Sequence, residues 1–364
     1  MRTNDIASLR LVSQHIGGTK LKTVKDIVGR LGAMQAQDYA MVKWAIGVRL
    51  PHSTNRTIET AINGGEIIRT HLLRPTWHFA CAEDVRWMLE LTAPQIRSSM
   101  IGRHKAMGIT STELKKSFAL MEKALGGGLH LTREELIAEL RKAKIKTDGG
   151  HAHHLLLSAE SEEIICSGAL KDGGQTYALL DEWVPKAKSL PKEEALAKLA
   201  ARYFVGHGPA TLADFIWWSG LHVNSAKQAL ESVKRDFQSA TIHSQTYWFS
   251  GAFSAAGQTG ASAHLLPAFD EFIIGYKDRR ASLPRENHHK AVSNNGIFRP
   301  IIVVNGKVTG IWKRTIKKDK ALLEKVFFER PDKTAKDLIE KAAERYSRFQ
   351  SRPASSLSLI AFER

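Results

Sequence analysis

Gln35-Ala36-Gln37, followed by Asp38, is the stretch with the clearest capacity for chemistry. Ala36 is inert, so the two amides are the feature to explain. On a helix, residues two apart point about 200° from one another and cannot share a target. On extended backbone they point the same way. A shared site therefore requires the helix to end near Gln35. Each amide offers one acceptor oxygen and two donor hydrogens and carries no charge near neutrality. Such a pair can hold a water or a sugar hydroxyl, but it cannot serve as a strong general base. The matching reaction is one whose leaving group is already activated.

The elements around the pair must end one helix and begin another. Ile6, Leu9, Leu11, Val12 and Ile16 form a helical stripe stopped by Gly17-Gly18. Thr23 is expected to cap a helix bearing Val24, Ile27, Val28, Leu31 and Met34. Beyond the pair, Trp44, Ile46, Val48 and Leu50 alternate as in a strand, although Tyr39 to Ala45 also suits a helix. Thr57 is expected to cap a short helix closed by Gly64-Gly65. Ile67 to Phe79 then reads as a β-wing turning near Arg74-Pro75, with a basic face at Arg69, His71, Arg74, Thr76 and His78. His71 and His78 lack further ligands at metal spacing, so no metal is expected.

A helix from Glu83 to Met100 leads into a second group. There, helices over 113–125, 136–143 and 151–159 precede a hairpin turning at Lys171-Asp172-Gly173-Gly174. Thr132 opens the second helix with a capping box. Three helices and a hairpin is the winged-helix order, a relative of helix-turn-helix. It returns over 193–205, 212–218 and 221–233, with a wing from Ala240 to Phe249. Thr132 and Thr211 occupy matching places 79 positions apart, which suggests a tandem repeat. The remainder differs: Asn305-Gly306 marks a hairpin, the basic run Lys313-Arg314 with Lys317-Lys318 follows, and an amphipathic helix spans Thr334 to Tyr346. The expected class is α+β: tandem winged-helix (helix-turn-helix) motifs with a C-terminal β-rich domain. The expected boundaries are 1–105, 106–190, 191–260 and 261–364.

Composition narrows the function. Across 364 residues, 53 Lys and Arg face 37 Asp and Glu, a net charge of +16 that suits a polyanion, nucleic acid before membrane. With 43% hydrophobic residues, the chain can bury sizeable cores. No apolar run reaches the roughly 18 residues needed to cross a bilayer, and the first residues do not form a signal peptide, so a cytoplasmic monomer is expected. Cys81 and Cys166 lie too far apart to suggest a metal site or disulfide framework and read as core residues.

Several motifs, in one order, carry a resemblance. Gln35-Ala36-Gln37-Asp38, Ile68-Arg69-Thr70-His71, Arg74-Pro75-Thr76-Trp77-His78, Leu265 to Asp270, Gly275-Tyr276-Lys277-Asp278-Arg279 and Phe298-Arg299-Pro300 resemble the AlkZ/YcaQ winged-helix DNA glycosylases. The likeness covers nearly the whole chain. It implies tandem winged helices, a C-terminal β-rich domain, and excision of bulky N7-alkylated purines, with crosslink unhooking in some members. A Gln-Φ-Gln motif marks the AlkZ-like branch, whereas Gln-Φ-Asp marks the YcaQ-like one. Gln37 places the chain with the first, and Ala36 departs from the larger apolar residue often found there.

The resemblance implies a hydrolytic, monofunctional enzyme in base-excision DNA repair, without a cofactor, acting on double-stranded DNA that contains alkylated purines. Gln37 would orient the attacking water and Gln35 would hold the sugar or assist that water. Asp38 is a rival acid whose structural role would be to cap or to pair with an arginine. A lyase would need an activated lysine, and only Lys43 is near. Arg69, Arg74, Lys277, Arg279, Arg299, Lys313 and Arg314 are candidate phosphate contacts, with His71 and His78 beside them; Arg279 is also expected to pair with Asp270 or Asp278. The rival readings are a non-enzymatic winged-helix transcription regulator and, more weakly, an RNA-binding protein.

Overall fold

The computed structural model describes residues 3–251, 260–316, 321–351 and 354–358. Helix and strand are mixed along the chain. It divides into two compact units: one of residues 1–58, 197–218 and 223–364, the other of residues 59–196 and 219–222. None of the described helices is long and apolar enough to cross a membrane.

In the first unit, the helix Val24–Leu31 starts at a reciprocal cap between Thr23 and Asp26 and buries Val24, Ile27, Val28 and Leu31. Gly32 closes it at φ +80°, where a side chain would be strained. The strand Met34–Gln35 follows, then the helix Tyr39–Gly47. The strand reading of Trp44 to Leu50 is thus corrected. Met41 through Gly47 are all buried, so no polar face marks a helical period.

The unit's five-stranded sheet runs in the order Ala354–Ser358, Ala321–Phe327, Lys307–Ile316, Ile301–Val304, Ala263–Leu266. The first pair is parallel and the others antiparallel. The expected Asn305-Gly306 turn joins two of these strands, with φ +48° and +80°. The helix Lys333–Phe349 packs its Tyr346 against Trp312 and Trp44, with ring centroids 5.0 and 5.1 Å away. Both indoles donate to one strand: Trp44 to the Leu265 carbonyl at 2.7 Å and Trp312 to that of Leu266 at 2.8 Å. A two-stranded hairpin, Gln238–Ile242 with Gln245–Phe249, follows the helix Val223–Val233.

In the second unit, Ile67–Leu72 pairs antiparallel with Thr76–Cys81 across the expected turn. The helix after it, Ala82–Met107, runs through Pro94 and well beyond Met100. Helices Ser111–Leu125, Arg133–Lys142 and His151–Ser161 then close over Met121, Leu125, Leu136, Leu140, Leu155 and Ile165. The hairpin Ile165–Ser167 with Thr176–Leu179 follows them. The short helix Asn55–Asn63, which begins in the first unit, is capped there through Thr54, which exchanges hydrogen bonds with Thr57, so its cap lies three residues before the expected one.

Candidate active site and nucleic-acid interface

Gln35 ends its short strand and Gln37 lies in a bend, so neither is helical. Asp38 caps the next helix, accepting from the Met41 amide at 3.0 Å. Between the two glutamines the exposure changes sharply. Gln35 is 6% exposed, whereas Gln37 lies open at the surface.

A buried carboxylate fixes the backbone at Gln35. The Gln35 amide donates to Glu271 Oε1 at 2.7 Å. Glu271 Oε2 accepts from the Trp218 indole at 3.0 Å and faces His207 Nε2 at 3.1 Å. Glu271, Trp218 and His207 are essentially inaccessible to solvent. An acceptor carboxylate there requires His207 to carry its proton on Nε2. The His207 ring stacks on Tyr203 at 4.7 Å, and the Tyr203 hydroxyl donates to the Gly275 carbonyl at 2.9 Å. Gly275 is required: a Cβ there would stand 2.6 Å from the Glu271 carbonyl and 2.8 Å from the His207 ring.

The network continues inward. The Tyr276 hydroxyl donates to the His207 carbonyl at 2.7 Å and accepts from Gln14 Nε2 at 3.0 Å. Burial pushes the Tyr276 phenol well above its ordinary range, so it stays a neutral donor. The Gln14 oxygen accepts from Arg49 at 2.7 Å, and Arg49 grips both Asp270 oxygens at 2.8 Å. Asp270 caps the turn of helix carrying Glu271 by accepting from the Phe272 amide. Buried charges of this kind persist only when paired and hydrogen-bonded.

Beside this network lies a basic hollow of about 630 Å³, lined by Lys277, Arg279, Arg280, Arg285, His288 and Gln245 among others. Asp214 holds its rim, accepting from the Lys277 and Asp278 amides at 2.9 and 3.0 Å. A hydrogen bond from Arg280 keeps the Asp278 carboxyl below its ordinary range. Its two acids are thus engaged, Asp214 also facing Arg10 at 3.6 Å, while Lys277 and Arg285 remain exposed at the edge. Of the partners expected for Arg279, Asp270 is gripped by Arg49 and Asp278 by Arg280. The Arg279 guanidinium donates to the Ile273 carbonyl and lies over Trp217 and Phe298, 5.1 and 4.9 Å from their centroids.

The other expected cations are spread more widely. Arg299 donates to the Lys290 carbonyl, Arg314 donates to the Tyr346 hydroxyl at 2.9 Å, and Lys313 is exposed. Lys317 and Lys318 lie outside the described residues. Lys43 is buried, its ammonium 5.1 Å from the Tyr39 ring.

In the second unit, the candidate histidines turn inward. His71 is 2% exposed and gives Glu160 Oε2 its backbone amide at 2.8 Å and Nδ1 at 2.7 Å. Burial alone would raise the Glu160 carboxyl, but the His71 charge and hydrogen bonds outweigh it and hold the group below its ordinary range. His78 is fully buried, with Nδ1 at 2.9 Å from the Thr76 carbonyl. Both rings brace the hairpin instead of facing solvent. Arg69 lies over Trp77 at 4.3 Å and donates to Gln175, while Arg74 is half-buried at the turn.

Sequence reasoning did not single out Glu271, His207, Trp218, Arg49 or Glu160. The available signal was an Asp270-Glu271 pair inside the apolar run Phe269 to Ile274. Two adjacent acids in such a run demand buried partners.

Comparison with known proteins places this arrangement. A solved structure, Streptomyces sahachiroi DNA glycosylase AlkZ, superposes with a TM-score of 0.79 over 98% of this chain and 100% of that one, at 18% identity, so the fold is shared. An interstrand DNA cross-link repair glycosylase of Streptomyces sahachiroi is 22% identical over 325 residues, covering 84% of this chain and 85% of that protein. The sequence model of the family described as DNA glycosylase AlkZ-like matches residues 28–349. The chain therefore belongs to the AlkZ-like DNA glycosylases, hydrolases of N-glycosyl bonds.

Proposed function

We propose that the protein is a monofunctional glycosylase that releases N7-alkylated purines from duplex DNA and unhooks interstrand crosslinks built on such bases. The observation that carries this reading is the asymmetry of the pair: Gln35 locked by its backbone to Glu271, Gln37 open to solvent. An N7-alkylated purine is cationic, so its departure needs no protonation. Water attacks C1′ as the C1′–N9 bond breaks, the bonding electrons neutralise the purine, and the water's proton passes to solvent. Gln37 orients that water through its amide oxygen. Gln35 holds the sugar or assists that water. Positioning and electrostatics are all that such a step requires.

Asp38 acts as the helix cap rather than as the base, since one of its oxygens is committed to the Met41 amide. The phosphate contacts are Lys277 and Arg279 at the basic hollow, with Arg299, Lys313 and Arg314 from the same unit and Arg69 and Arg74 from the other. We assign one winged-helix unit to 106–190 and another to 191–260, each of which carries three helices followed by a hairpin. Matching reciprocal caps at Thr132 with Glu135 and Thr211 with Asp214 support the repeat. The protein acts as a monomer.

The test is release of N7-methylguanine from methylated duplex, alongside unhooking of an N7-linked crosslink, by wild type and by Gln37→Ala. Loss of both activities in the variant with DNA affinity retained is expected. Wild-type protein that releases no alkylated base, or Gln37→Ala within about twofold of wild type, overturns the reading.

A further inference from the structure

Ile297 stands at the tip of a short loop and is 53% exposed. The loop is rigid in its hydrogen bonding. The Ser293 amide donates to the Ile297 carbonyl at 3.0 Å, the Ile297 amide to Ser293 Oγ at 3.1 Å, and the Gly296 amide to the Ser293 carbonyl at 2.9 Å. Gly296 sits at φ +73°, a geometry open to glycine. A bridge between Val292 and Phe298 closes the base. Below the tip, Phe298 is nearly buried, 6.0 Å from the Phe269 ring and under the Arg279 guanidinium. The tip is therefore an apolar point on a firmly held stem.

Its surroundings are cationic. Arg299 follows in the chain, and its amide is tied to the Ala291 carbonyl at 2.9 Å. Arg279 lies between Phe298 and the part-exposed Trp217, and also lines the basic hollow with Lys277 and Arg285. A protein partner reading an apolar tip would not ordinarily favour such a field of like charge. A duplex does: its phosphates meet the cations, and the apolar edges and faces of its bases meet the tip.

We infer that Ile297 is a wedge that enters a groove of the duplex and parts the base step beside the lesion. The inference rests on the duplex ligand of the proposed function. It also suits a crosslinked base, which is tethered to both strands and cannot rotate into a pocket as an ordinary flipped base does. Parting a neighbouring step exposes C1′ without turning the base out.

The experiment uses the full chain and a duplex with 2-aminopurine beside a stable abasic analogue, at low salt. Binding is followed by anisotropy and unstacking by 2-aminopurine fluorescence. Wild type and Ile297→Leu should raise the fluorescence. Ile297→Ser should bind within about threefold of wild type yet lose most of the rise. Binding by wild type without a rise, or an undiminished rise with Ile297→Ser, overturns the wedge alone. Absence of binding overturns the duplex reading itself. A wild-type dimer that Ile297→Ser converts to monomer would show that a second copy covers the tip, and would also overturn the wedge.

Discussion

The Gln35 amide and Glu271 Oε1 lie 2.7 Å apart across 236 residues of chain. The hydrogen bond fixes the backbone that presents the glutamine pair, and the other oxygen of the same carboxylate meets His207 and Trp218. On the proposed mechanism the attacking water is placed by a neutral amide of little intrinsic reactivity, so the position of that amide carries the reaction.

Replacing Glu271 should therefore separate catalysis from DNA holding. Glu271→Ala strips three buried donors of their acceptor and should cost on the order of 3 to 5 kcal/mol of stability. Glu271→Gln keeps one acceptor oxygen and should cost about 1 to 3 kcal/mol. At temperatures where it is folded, Glu271→Gln should show a lower kcat for base release with unchanged DNA affinity. Full kcat in that variant would remove Glu271 from the placement of the pair.

The two glutamines should not be equivalent. Gln37→Ala should lower base release by about tenfold or more, the worth of one hydrogen bond in the transition state, with thermal stability unchanged because its side chain is exposed. Gln35→Ala removes a buried amide and should lower both activity and melting temperature. Equal melting temperatures for the two variants would contradict the burial difference.

Breaking the Arg49 and Asp270 pair from one side should be severe. Arg49→Ala leaves Asp270 buried and uncompensated, a loss of about 3 to 5 kcal/mol. Arg49→Ala with Asp270→Ala should cost clearly less than the sum of the single changes. Additive losses, measured by denaturant unfolding, would show that the pair does not act as a unit.

Duplex binding should weaken linearly on a log-log plot against salt. Lys277→Ala and Arg285→Ala should each reduce that slope by about one, with little dependence on sequence. Unchanged slopes would place the phosphates elsewhere than the basic hollow.

Stability should fall in mild acid. Burial, with the charges of Arg345 and Arg49, lowers His264 from 6.5 to about 4. Between those values the unfolded chain holds a proton that the folded chain does not, so stability is full above pH 6.5 and is lost as pH falls toward about 4. The contribution is about 3 kcal/mol. His153 in the second unit, also lowered to about 4 by burial, acts in the same direction. His264→Leu should flatten the decline in melting temperature between pH 7 and 4, and an equally steep decline would exclude His264 as its source.

Local signals were legible where local chemistry decides. The helix break before Gln35 was expected from the need for both amides to share a target, but the stripe was read through Met34, whereas the helix ends at Leu31 and Met34 lies in the strand. The caps at Thr23, Thr132 and Thr211 were readable because each box closes within three residues. The helix Tyr39–Gly47 was ambiguous because burial on every side erases its period. Asp270 defeated the sequence reading for another reason. Its arginine is Arg49, 221 positions away, whereas Arg279 is near in sequence but bound to a carbonyl and two rings. Glu271 was hidden likewise, since nothing beside it shows that it meets Gln35.

The distance along the chain between Gln35 and its buried acceptor also sets an order of assembly. At ordinary synthesis rates, the ribosome needs on the order of ten to fifty seconds to travel from one to the other. Throughout that interval the nascent protein carries Gln35-Ala36-Gln37 without this acceptor. A product truncated before residue 271 would keep Gln35 and Gln37 but lose the acceptor of the Gln35 backbone amide, and on the proposed mechanism should release no base. The backbone of the glutamine pair gains its buried acceptor only once Glu271 has been made.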